Sequence, residues 1–159
     1  MLLGDALMVC LMERRQFKAE NFALYHPGGA LGRQLLSRVK DRMSTTIPRV
    51  TTNTLFNDII YTVSDGRKGM TLVYDNNNCV GIITDGDIRR AVQHHENIKT
   101  LTAADIMTHS FKHIHQEAMI SQALELMDIN NITSLAITDT PDSNTIIGIL
   151  HIHDIIDFR

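Results

Sequence analysis

Cysteine is scarce in this 159-residue sequence: Cys10 and Cys79 are the only two, and they lie too far apart for a zinc or redox motif. A free, buried thiol in a reducing compartment is the expected state, in place of a disulfide framework. An excess of one charge is also missing. The 15 Lys and Arg face 18 Asp and Glu, giving a net charge of −3 and a pI near 6.2. That excludes the broad basic surface of a nucleic-acid binder and any global attraction to a membrane. No apolar run approaches the roughly 20 residues of a membrane-spanning helix. The apolar N-terminus has neither the leading basic region nor the small-residue cleavage site of a secretory signal. The expectation is a soluble, cytoplasmic chain of one ordinary domain or two very small ones. With 43% hydrophobic and 21% charged residues, it has enough apolar material to bury a core.

The first twelve positions carry Leu2, Leu3, Ala6, Leu7, Met8, Val9, Cys10, Leu11 and Met12. At helical period these cover nearly the whole circumference, and a helix apolar on all sides belongs inside something larger. It reads as an internal helix of a domain not otherwise represented here, or as the dimerising helix of a small protein. Glu13-Arg14-Arg15 ends the stretch, and the region from Lys18 to Gly32 reads as loop.

From about residue 40 the chain repeats itself. Asp41-Arg42-Met43 matches Asp105-Ile106-Met107, and Met70–Asp75 matches Ser134–Asp139, both at an offset of 64. Gly81-Ile82-Ile83 then matches Gly148-Ile149-Leu150, and Asp87 matches Asp154, at an offset of 67. The jump falls in turn compositions, Asn76-Asn77-Asn78 and Pro141-Asp142-Ser143-Asn144, where length varies at little cost. Each copy runs in the same order. A short extended piece (Pro48–Thr51 or Lys112–His115) precedes an amphipathic helix, with Leu55, Ile59, Ile60 and Val63 or Ile120, Ala123, Leu124 and Met127 on its apolar side. Two apolar strands follow, Thr71–Tyr74 with Val80–Ile83 and Leu135–Ile137 with Ile146–Leu150; the tight turn between them predicts antiparallel neighbours. A closing helix starts near Asp85 or Ile152. The predicted fold class is therefore α/β in the α+β sense, two β-α-β-β-α units too small to stand alone and packed sheet to sheet.

The segment Gly81-Ile82-Ile83-Thr84-Asp85-Gly86-Asp87 resembles the signature of the CBS module: glycine, two apolar residues, a hydroxyl residue, two variable positions and aspartate. The second copy, Gly148-Ile149-Leu150-His151-Ile152-His153-Asp154, departs from it with histidine at the hydroxyl position. Thr84 and Asp87 have the spacing of a helix capping box. They equally suit an anion or ribose site at a helix N-terminus, where unpaired N–H groups face a phosphate and a carboxylate accepts from sugar hydroxyls. In the CBS family the matching residues contact nucleotide phosphate and ribose, which implies ligand binding by Thr84, Asp87, His151 and Asp154. Because His151 lacks the hydroxyl, the two clefts are expected to be inequivalent and the second weaker for phosphate or sensitive to pH. Eight histidines, including the His113/His115 and His151/His153 pairs, lack the cysteines or acidic residues that would complete a metal site, so no metal is expected.

Gly4-Asp5-Ala6-Leu7, Phe22-Ala23-Leu24 and His26-Pro27-Gly28-Gly29-Ala30-Leu31-Gly32 together resemble the end of the sugar-isomerase (SIS) domain in the arabinose-5-phosphate isomerase family, where two CBS modules follow directly. The resemblance implies residues 1–39 as a SIS remnant and linker, with CBS repeats at 40–98 and 99–159. It implies a parent enzyme interconverting D-ribulose 5-phosphate and D-arabinose 5-phosphate for Kdo, and so for lipopolysaccharide or capsule. His26 falls on a catalytic histidine of that family, but the rest of the site lies outside this sequence, so the chain alone is expected to be inactive. No cofactor is required. The expected partners are a small-molecule effector (an adenine or cytidine nucleotide, or CMP-Kdo), the chain's own SIS domain and a second copy in a homodimer. A ligand-free, structural dimerisation module is the alternative.

Overall fold

A computed structural model describes residues 2–16, 37–141, 143 and 145–156. The sequence from Lys18 to Gly32, His26 included, lies outside the described residues. Helix α1 covers Leu2–Arg14. Leu7, Met8, Val9, Leu11 and Met12 on it are all exposed, so the all-round apolar pattern finds no core among the described residues. Cys10 is exposed on this helix rather than buried, and the second free thiol, Cys79, is half-buried.

The first repeat contains β1 (Arg49–Thr51), α2 (Phe56–Gly66), β2 (Met70–Asp75), β3 (Asn78–Thr84) and α3 (Asp85–His94). The second contains α4 (Ala103–Ile106), β4 (His113–His115), α5 (Ile120–Asn130), β5 (Ser134–Thr138), β6 (Ile146–His151) and α6 (Ile152–Ile156). Each repeat makes one three-stranded sheet, β1-β2-β3 and β4-β5-β6, with a parallel outer pair and the predicted antiparallel hairpin. Even the irregularities repeat: the hairpin registers shift between Val73 and Tyr74 and between Ile137 and Thr138, 64 residues apart.

The continuous apolar runs of β2 and β5 are explained by burial on both faces. Met70, Leu72, Ala136, Ile146 and Ile149 meet between the sheets, in a cluster drawn from both repeats. On the outer face of the first sheet Val73 and Ile83 pack with Ile59 and Val63 of α2, and on the second Leu135 and Ile137 pack with Ala123 and Met127 of α5. One sequence expectation needs correcting. Leu55 and Ile60 are exposed, and the fully buried residue at the start of α2 is Phe56, because Leu55 caps the helix in extended backbone and turns outward.

The segment leading into each repeat crosses to the other repeat's sheet. Val39 is completely buried against α5, β5 and β6, and Ser44 exchanges both backbone hydrogen bonds with Ile149. Ala103 is buried against the first sheet, and Thr108 exchanges both bonds with Ile82. These crossings account for the two signature glycines. A Cβ on Gly81 would lie 3.0 Å from Met107 Sδ and 3.0 Å from the Thr108 carbonyl oxygen. A Cβ on Gly148 would meet Met43 Sδ and the Ser44 carbonyl oxygen at the same distances. The Asp-x-Met triplet of one repeat thus seats its methionine on the glycine of the other.

Candidate functional site

Thr84 ends β3 in extended backbone and caps α3. Its backbone N–H donates to Asp87 Oδ2 at 2.8 Å, its hydroxyl donates to the same oxygen at 2.7 Å, and the Asp87 N–H donates back to Thr84 Oγ1 at 3.3 Å. The capping box read from the sequence is therefore formed. Asp87 is only 6% exposed, and its other oxygen accepts from the Arg90 guanidinium and from Thr108 Oγ1 at 3.2 Å. Burying a carboxylate is tolerable because every lone-pair direction is used.

In front of this box lies a cleft of about 650 Å³, built from both repeats. Ile82, Phe111 and Ile132 give it an apolar wall, and Arg89, Arg90 and Lys112 give it positive charge beside the N-terminus of α3. Ser110, Asn131, Thr133 and Ser134 add hydrogen-bonding groups. An apolar slot, a carboxylate and a cationic helix end in series form an arrangement that matches base, sugar and phosphate in turn. Arg90 could have been found from the sequence, three positions after Asp87 on one helix face. Thr108 could not, since it reaches the site through the crossing segment.

The second signature is built differently. The His151 N–H donates to Asp154 Oδ2 at 3.0 Å, and His151 Nδ1 accepts from the His153 N–H at 3.2 Å. The imidazole therefore replaces the threonine hydroxyl as the acceptor at the start of α6, which places its proton on Nε2 in the neutral form. Burial holds the His151 pKa below the ordinary histidine value; the adjacent His153 and Lys68 push the same way, against Asp154 and Asp85. Asp154 Oδ1 is taken by Lys68 Nζ at 2.6 Å, in a largely buried ion pair between the repeats. The sequence reading missed Lys68, and nothing local marks a partner 86 positions away.

Gly69 sits between the two signatures. Its φ of +63° is the left-handed conformation that glycine adopts freely, and a Cβ there would point at Asp85 Oδ2 and the His151 ring. Its carbonyl accepts from the Asp85 N–H at 3.2 Å, fixing the first turn of α3. The histidine pairs do not assemble further: the His151 and His153 rings lie 4.8 Å apart, and among the described residues no three His, Cys, Asp or Glu side chains converge as a metal site. Also among the described residues, no helix is long and apolar enough to cross a membrane.

Two signature-bearing sheets, exchanged leading segments and a cleft made from both repeats define a paired two-module fold. Residues 39–94 and 103–159 match the CBS domain, and the chain belongs to that family. It is 44% identical over 149 residues to a probable arabinose 5-phosphate isomerase of Haemophilus influenzae, covering 93% of this chain and 44% of that protein. It is 40% identical to arabinose 5-phosphate isomerase KdsD of Escherichia coli K12, covering 98% of this chain and 48% of that protein. The chain thus spans about half the length of these curated relatives or less. Among solved structures it is similar in fold to the CBS domain pair of protein MJ0100 in complex with 5′-methylthioadenosine and S-adenosyl-L-methionine (TM-score 0.66, 23% identity, 76% of this chain and 93% of that one). A conserved protein of Pyrococcus horikoshii is likewise similar, with TM-score 0.68, 21% identity, and coverage of 77% and 91%.

Proposed function

We propose that this chain is the effector-sensing portion of an arabinose-5-phosphate isomerase, and that its first cleft takes a nucleotide. In this reading residues 1–39 close a SIS domain, and repeats at 40–98 and 99–159 form the sensor. The observation that carries it is the Thr84–Asp87 box at the N-terminus of α3, opening into a cleft with an apolar wall and three basic side chains. The base lies against Ile82, Phe111 and Ile132, a ribose hydroxyl takes the place of Arg90 on Asp87, and the phosphate meets the α3 N-terminus and Arg89, the freed Arg90 or Lys112. Relatives named as arabinose 5-phosphate isomerases and a CBS pair holding adenosine-type ligands support this assignment. Adenine nucleotides, cytidine nucleotides and CMP-Kdo, the last as a feedback signal of the Kdo route, are the effectors to test. His26 contributes to catalysis only in the whole enzyme, in the cytoplasm; this chain alone turns over no sugar phosphate, and it pairs with a second copy.

The test is isothermal titration of the chain with AMP, ATP, CMP and CMP-Kdo. Saturable heat from at least one of them, lost in Asp87→Ala, supports the proposal; no heat from any removes it. A structural module without ligand is the second reading, favoured by one observation: Asp87 is already saturated by Thr84, Arg90 and Thr108. Under that reading Asp87→Ala lowers stability and leaves the regulation of the whole enzyme unchanged.

A further inference from the structure

The two repeats correspond position by position, at an offset of 64, where α2 runs into β2 and α5 into β5, and they differ in what stands over each signature aspartate. Helix α2 ends at Gly66, Arg67 takes a left-handed conformation (φ 51°), and Lys68 follows. Helix α5 ends at Asn130, Asn131 takes the same conformation (φ 52°), and Ile132 follows. Lys68 and Ile132 are therefore equivalent positions, and Ile132 is part of the apolar wall of the first cleft. In the first repeat the matching position holds a lysine whose ammonium sits 2.6 Å from Asp154 Oδ1.

The first cleft's aspartate is also paired, but with a different kind of partner. The Arg90 side chain is 61% exposed and belongs to the same helix as Asp87, so a ligand can take its place without parting the repeats, while Thr108 Oγ1 keeps its bond to the same oxygen. The Lys68 and Asp154 side chains are 20% and 24% exposed and come from opposite repeats. Lys68 is held at its backbone too, where its carbonyl accepts from Ser134 Oγ at 2.8 Å. A ligand hydroxyl taking the place of Lys68 on Asp154 Oδ1 displaces an ammonium from a part-buried contact between the repeats.

We propose that Lys68 masks the second signature: it occupies on Asp154 the place a ribose hydroxyl would take, so that the chain binds a nucleoside ligand in the first cleft alone. This rests on reading the first cleft as a nucleotide site. Lys68 is then the residue that sets ligand stoichiometry, and the side chain found at the equivalent first-cleft position, isoleucine, is the one that lifts the mask.

The experiment is isothermal titration with AMP of the whole chain, of Lys68→Ile and Lys68→Gln, and of each variant combined with Asp87→Ala. Thermal melting in parallel confirms that each variant folds, and Lys68→Gln serves if the isoleucine variant does not. One AMP per wild-type chain and two per variant is the expected result, with the variants' additional site surviving Asp87→Ala. Two AMP per wild-type chain, or no additional site in a folded Lys68 variant, overturns the mask. Weaker AMP binding in the variants than in the wild type, by about tenfold or more, also overturns it, because Lys68 would then be a phosphate ligand. Failure of the proposed function reads differently: wild-type chain that takes up no AMP while Lys68→Ile does would remove the first-cleft reading and leave the mask standing.

Discussion

The crossing of the two leading segments makes Gly81 the most exacting position in the first sheet, and Gly81→Ala measures how exacting. A methyl added there lies 3.0 Å from the Thr108 carbonyl oxygen and 3.0 Å from Met107 Sδ. The sulfur is the far part of a flexible side chain and can rotate away. The carbonyl cannot, because Thr108 is tied to Ile82 by hydrogen bonds of 3.0 Å and 2.8 Å in both directions. Relief requires the crossing segment to move by a few tenths of an ångström, straining both bonds and the burial of Ala103 beneath them. Overpacking of this kind costs about 2 kcal/mol, more than alanine regains over glycine in strand propensity. For a chain of this size that corresponds to a melting temperature about 4–8 °C lower. Gly148→Ala, with its Cβ against Met43 Sδ and the Ser44 carbonyl oxygen at the same distances, should cost a similar amount. Urea unfolding followed by circular dichroism gives the numbers. Pairing Gly81→Ala with Met107→Ala removes the sulfur contact and should leave the carbonyl part of the penalty in place. A Gly81→Ala protein as stable as the parent would refute the claim that the glycine exists to admit the crossing segment.

Other outcomes follow from single residues. Thr71 is fully buried in β2 and its hydroxyl meets no hydrogen-bond partner, so Thr71→Val should raise stability by about 1 kcal/mol in the same urea assay; a loss of stability would mean the hydroxyl is satisfied. His151, facing His153, Asp154, Lys68 and Asp85, is held below the ordinary histidine pKa mainly by burial. The unfolded chain therefore takes up this proton first as pH falls. The histidine's contribution is fully present above the unfolded value of about 6.5 and is lost as pH drops from there toward the folded value. Stability should fall as pH drops below about 6.5, and His151→Thr should flatten that part of the profile; an unchanged profile in the variant would contradict the assignment.

The elements and the sandwich were legible in the sequence because each leaves a local mark. The apolar runs of β2, β3, β5 and β6 and the Asn76–Asn78 turn announce two buried hairpins, and neither sheet has enough apolar partners of its own on its inner face. The Thr84–Asp87 box was legible for the same reason, since a three-residue spacing at a strand-to-helix junction is local chemistry. Two features were not. Asp41-Arg42-Met43 and Asp105-Ile106-Met107 were visible as repeated triplets, but their docking onto the opposite repeat is a long-range contact that no periodicity encodes. The Lys68–Asp154 pair likewise joins positions 86 apart. The apolar face of α2 was misread at Leu55 and Ile60 because its boundary was placed by spacing alone, and the extended cap at Leu55 shifts which residues turn inward.

The central claim, that the first cleft is a nucleotide sensor, is tested most directly by the thermal stability of this chain against rising AMP, CMP and CMP-Kdo. A ligand that binds only the folded state at a hundredfold excess over its dissociation constant adds about 2.7 kcal/mol. The account predicts a saturable rise in melting temperature with at least one of them, abolished by Asp87→Ala. No rise with any, or a rise that survives Asp87→Ala unchanged, would contradict it.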